Sequence, residues 1–71
     1  MTRVMHQDLR AIGYCTKGTR EFFARHGLCY RTFVFDGIPA ETLERTGDAM
    51  ALELVAEARR REARAAAAAE G

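Results

Sequence analysis

The chain of 71 residues has no long hydrophobic run, no marked excess of either charge, two cysteines and a single proline. Each shortage excludes something. Without about 20 consecutive apolar residues, no membrane-spanning helix is expected. The opening stretch Met1-Thr2-Arg3-Val4-Met5-His6 lacks the apolar centre of a signal peptide, so a cytosolic protein without membrane contacts is expected. Eleven basic residues stand against ten acidic ones, a net charge of +1, well short of the basic excess of a dedicated duplex binder. Cys15 and Cys29 are expected as reduced thiols. With His6 and His26 they make four possible metal ligands, but no Cys-x-x-Cys is present and the spacing matches no common zinc motif, so neither metal nor cofactor is expected.

What is present is enough for one small domain. A chain of this length buries only about 60% of the surface its unfolded form exposes. The apolar content is 48%, but much of it is alanine near the C-terminus. The remaining aliphatic and aromatic residues suffice for a small helical cluster and not for a sizeable ligand cavity as well.

The clearest periodic segment runs from Asp48 to Glu70. Thr46-Gly47-Asp48 reads as a stop followed by a start, with Gly47 in a left-handed position and Asp48 capping a new helix. Met50, Ala51, Leu54, Val55 and Ala58 share one face, and Glu53, Glu57 and Arg60 share the other. Leu52 sits off the edge of the apolar stripe. Beyond Ala58 the stripe ends: Arg59, Arg60, Arg61, Glu62 and Arg64 surround the axis, and Ala65 to Ala69 supply no bulk. Helix propensity stays high, and Glu57 to Arg61 is a favourable i, i+4 pair. The expected organisation is a helical domain over 1–58 and a projecting Arg/Ala-rich helix or frayed tail over 59–71. Such a tail is either solvated, a docking rod for a partner, or a basic strip against phosphates.

Upstream, glycines punctuate a series of short helices. His6 to Ile12 is a helix ended by Gly13. Lys17 to His26, with Thr16 as N-cap, carries Phe22 and Phe23, and Arg25-His26-Gly27-Leu28 has the pattern of a Schellman ending. Cys29 to Phe35 has strand propensity, but it ends in Asp36-Gly37-Ile38, which repeats the glycine-apolar corner, and no second good strand exists to pair with it. It is read as a helix. Pro39 to Arg45 follows as another, with proline in its first turn and Leu43 inward. Thr2 to Met5 is short, extended, and expected along the domain edge. The fold class is therefore all-α: a compact cluster of short glycine-capped helices with one long C-terminal helix.

Several of these stretches together resemble a group of small proteins found in bacteriophages and prophages of Gram-negative bacteria. They are Gly13-Tyr14-Cys15, Gly18 to Leu28, Phe33, Gly37-Ile38-Pro39, Leu43 and Thr46 to Ala51, and the likeness extends over roughly Leu9 to Val55. The resemblance implies a viral or prophage origin, hence the host cytoplasm or the virion, and no activity or site residues. Members tend to carry an acidic residue after the glycine-leucine corner, where this chain has Cys29.

Catalytic chemistry finds little footing. Gly13-x-x-x-x-Gly18-Thr19 echoes a phosphate-binding loop, but the lysine precedes Gly18 and no buried strand leads in. Cys15 has Lys17 nearby to lower its pKa, but no base or oxyanion site accompanies it. The expectation is a non-enzymatic protein that binds other proteins, viral or host, or copies of itself, through Phe22, Phe23, Phe33, Phe35 and Leu52. Burying all four phenylalanines in so small a domain is difficult, and any left outside becomes an anchor. The alternative is a nucleic-acid-binding regulator, with the helix-Gly-helix from Lys17 to Phe35 as a helix-turn-helix and Arg59, Arg60, Arg61 and Arg64 on phosphates.

Overall fold

The computed structural model describes residues 2–70. Met1 and Gly71, at the outer ends of the two expected segments, lie outside the described residues. The chain is all-α, as its pattern predicts, with α1 (His6–Ile12), α2 (Thr16–Arg25), α3 (Tyr30–Asp36), α4 (Ala40–Glu44) and the long α5 (Ala49–Glu70). A two-residue strand at each of two places, β1 (Arg3–Val4) and β2 (Ile38–Pro39), completes the element order. The main packings run α2 on α3, α3 on α1, α1 on α5 and α5 on α4.

The corners form for the reasons the sequence suggests. At the end of α2, Leu28 N–H donates to the Phe23 carbonyl at 2.8 Å and Gly27 N–H to the Ala24 carbonyl at 3.2 Å, the paired bonds of a Schellman turn. At the start of α5, Asp48 Oδ1 accepts Met50 N–H at 2.9 Å, as a capping aspartate should. One cap differs from expectation: α2 begins at Thr16, and Cys15 is its N-cap. Thr16 itself is helical and exposed.

The segment 29–35 is helical, with α3 starting at Tyr30. Its ending is not a second Schellman turn. Gly37 has φ 80° and ψ −175°, a region that only glycine enters at low cost. The chain leaves α3 extended, so Val4 pairs with Ile38 and Arg3 with Pro39 in an antiparallel ribbon. This ribbon is absent from the sequence reading, because strands of two residues are too short to show alternation. Pro39 is correspondingly the N-cap of α4 and not part of its first turn.

Gly37 has no room for a side chain. A Cβ there would lie 2.5 Å from Met5 Sδ and 2.8 Å from the Val4 carbonyl oxygen. Gly37→Ala is expected to destabilise by roughly 2 kcal/mol or more, from backbone strain and steric clash together. Gly27→Ala, where the added carbon meets nothing within 4 Å, should cost only about 1 kcal/mol. Urea denaturation of the two variants tests this. Equal losses would show that the ribbon tolerates displacement.

The core is built on aromatic rings. Phe22, Phe23 and Phe33 are fully buried with Leu9, Leu43 and Leu54. Phe23 meets Phe33 at a centroid distance of 5.0 Å and Tyr30 at 5.6 Å. On α5 the buried stripe is Ala51, Leu54, Val55 and Ala58.

Candidate protein interface

Of the five residues expected at an interface, the structure removes three and keeps two. Phe22, Phe23 and Phe33 are core, so none is available to a partner. Ala40, Ala51 and Ala58 belong to the same core cluster, where their small side chains take up little room. Phe35 is 71% exposed and Leu52 47% exposed. Successive residues of a helix are about 100° apart, so Phe35 points roughly 200° away from Phe33, and the two cannot both face inward. That phase argument was available from the sequence once 29–35 was read as a helix. Tyr14, 37% exposed, donates its hydroxyl to Glu53 on α5.

Arg31 stands over Phe35, its guanidinium carbon 5.9 Å from the ring centroid, and Arg20 over Tyr30 at 5.4 Å. These are cation–π distances. Lys17, Arg20, Arg25 and Arg31 are all exposed and make no ion pair among the described residues.

The arginines expected to hold phosphates are occupied instead. Arg59 pairs with Glu44 at 3.2 Å, and Arg60 and Arg64 both pair with Glu57, at 3.1 and 2.9 Å. Arg61 is held most firmly. Its Nε donates to Asp8 Oδ1 at 2.7 Å, and its terminal nitrogen to Asp8 Oδ2 at 3.2 Å and the Arg3 carbonyl at 2.9 Å. The expected Glu57–Arg61 pair is not made. Glu57 does not face solvent either: it is largely buried, its carboxylate turned under the two arginines.

The stretch after Ala58 therefore has a place to sit. Glu62 accepts the Thr2 hydroxyl at 2.8 Å and the Arg3 N–H at 3.4 Å. Arg61 and Glu62 together cover the outer edge of β1. The helix is unbroken at the expected 58/59 boundary. Arg59, Arg61 and Glu62 bond residues outside it, while Arg60 and Arg64 bond Glu57 of the same helix. Ala65 to Ala69 are exposed, and they are what remains of the expected projection.

The carboxyls in this cluster titrate low. Bonding to Arg64, then Arg60, holds Glu57 below the usual carboxylate range, and the Thr2 hydroxyl does the same for Glu62. A folded pKa below the unfolded value means these contacts support the fold above the ordinary glutamate pKa of about 4.3, and that support is lost as pH falls through the lowered values. Acid titration followed by amide resonances should show α5 beyond Ala58 loosening below about pH 4, with Glu62→Gln removing part of the dependence. A helix end unchanged down to pH 2 would contradict the assignment of these contacts.

The two thiols are free and exposed. The free N–H groups of Gly18 and Lys17 hold Cys15 below its ordinary range, so backbone dipoles and not the Lys17 charge are responsible. The Thr32 hydroxyl and N–H do the same for Cys29. Among the described residues, no three His, Cys, Asp or Glu side chains gather as a metal site, and no helix is long and apolar enough to cross a membrane. A shallow depression of about 230 Å³ lies between Thr2, Pro39, Ala40, Glu41, Glu44 and Arg59, and its charged groups are all engaged, Glu44 with Arg59 and Glu41 with Arg45.

No family model matches the chain, and no curated protein or solved structure compared with it matches either.

Proposed function

We propose that this chain is a non-enzymatic protein-binding module whose contact centre is Phe35, backed by Arg31, with the flank of α5 around Leu52 as a second contact. One observation supports this above the others: a fold that buries three of its four phenylalanines leaves the fourth 71% exposed. A large exposed aromatic beside an arginine is the composition of an interface hot spot. On the resemblance to phage and prophage proteins, the module serves as a virion component, an assembly helper or a binder of a host protein, in the host cytoplasm or the virion. The nucleic-acid alternative through Arg59, Arg60, Arg61 and Arg64 requires breaking the pairs those side chains make, which weakens it.

A photo-reactive residue in place of Phe35, with a control at Glu21, tests the reading. The expected result is a cross-linked protein through position 35 only, in lysates of cells carrying the virus, unaffected by nuclease. An adduct lost on nuclease treatment would overturn it. A parallel salt series with random duplex tests the alternative. Steep salt-dependent binding, abolished by replacing Arg59, Arg60 and Arg61 with alanine, would favour nucleic acid.

A further inference from the structure

Phe35 and Leu52 are the two most exposed large apolar side chains among the described residues, and they lie in opposite electrostatic settings. Phe35 belongs to the α2–α3 side, where Lys17, Arg20, Arg25 and Arg31 are exposed and outnumber Glu21 and Asp36. Leu52 belongs to the side formed by α4 and the first half of α5. There Glu41, Glu44, Asp48 and Glu53 outnumber Arg45 and Arg59, and the flanking Asp48 and Glu53 make no ion pair among the described residues. The order of packing, α2–α3–α1–α5–α4, puts these two pairs of helices at its two ends.

We propose that the Phe35 face of one molecule docks on the Leu52 face of a second copy, so that the protein self-associates head to tail. This rests on reading Phe35 as an interface centre and names its partner. Phe35 supplies the anchor, Leu52 the apolar seat, and Arg31 approaches Glu53 and Asp48. Charge decides the orientation. A symmetric contact through Phe35 would oppose Arg31 to Arg31, and one through Leu52 would oppose Glu53 to Glu53. Only the unlike pairing brings opposite charges together. A contact between two different faces does not close on itself in a dimer, so the assembly grows with concentration.

Sedimentation velocity on the full chain tests this. The wild type is expected to sediment faster as concentration rises at low salt, and association should weaken several-fold at high salt, where opposite charges are screened. Phe35→Ala, at an exposed site that does not support the core, should weaken association about tenfold. Arg31→Glu spoils one face and Leu52→Glu the other, and the two spoiled faces repel each other. Each alone should be monomeric, with helical content by circular dichroism equal to the wild type. Their equimolar mixture should form a dimer that grows no further, because one intact face of each kind remains.

A wild type monomeric to about 1 mM at low salt overturns the proposal, since such a contact would be weaker than ~4 kcal/mol. So does a mixture that stays monomeric, or a variant that associates like the wild type. A monomeric wild type that binds a random single-stranded oligonucleotide, sensitively to Arg31→Glu, assigns the face to nucleic acid and overturns it too. A monomeric wild type that still cross-links another protein through position 35 overturns self-association and leaves the protein-binding reading standing.

Discussion

Phe33→Ala is expected to unfold the protein at room temperature, whereas Phe35→Ala, two residues on, should change stability by no more than about 0.5 kcal/mol. Truncating a buried phenylalanine costs about 3–5 kcal/mol, because the lost transfer energy is joined by the cavity left behind. A domain this short is typically stable by only about 5 kcal/mol in all. Phe33 is at the centre of the aromatic cluster. Phe23 and Tyr30 lie within 6.0 Å of its ring centroid and His6 at 6.1 Å, and each loses a partner when the ring is removed. Phe35 is exposed, with the Arg31 guanidinium over its ring. Circular dichroism through a urea titration separates the two. Similar losses from both would mean that Phe35 is covered in solution, and the interface reading would lose its main support.

The second large effect concerns Arg61. Arg61→Ala is expected to cost about 3 kcal/mol, because it leaves the Asp8 carboxylate inside the protein without its counter-charge. Asp8 is only 1% exposed. Besides Arg61, its Oδ2 accepts the Met5 N–H at 2.8 Å, which fixes the start of α1. The cost is mostly that of an orphaned charge, not the net worth of the pair. Replacing both partners by apolar residues of similar size should therefore be far milder than removing the arginine alone. Arg61→Lys should fall between, since lysine keeps the charge and loses the two-pronged donor that reaches both carboxylate oxygens. Chemical denaturation of the variants reads these differences. A loss below about 0.5 kcal/mol for Arg61→Ala would reduce the contact to an ordinary surface ion pair.

The contrast between these arginines and their sequence neighbourhood shows where sequence reasoning stopped. Local features were legible: the glycine corners, the Asp48 cap and the stripe Ala51, Leu54, Val55 and Ala58 each depend on residues within a turn or two. The helix over 30–36 was legible against its own strand propensity, because Gly37 and the lack of a partner strand outweighed it. Arg61 and Glu57 were not. In isolation a run of arginines and glutamates reads as a solvated helix face. Arg61 finds Asp8 53 positions away, a pairing that no periodicity encodes. Glu57 looked outward because a charge was assumed to stay in water, but two arginines from the following turns fold over it. The interface residues were half legible. Composition said that four phenylalanines crowd a small core, and only the helical phase of α3 says which one is left out.

The cover that Arg61 and Glu62 place over β1 joins two segments far apart in the chain, through bonds spanning 58 to 60 positions. Synthesis proceeds from the amino end, so more than fifty residues follow Thr2, Arg3 and Asp8 before their partners exist. Until then Asp8 has no counter-ion and the first strand has a bare edge, which are features that chaperones and stray strands recognise. Closure over β1 thus waits on two adjacent side chains of α5.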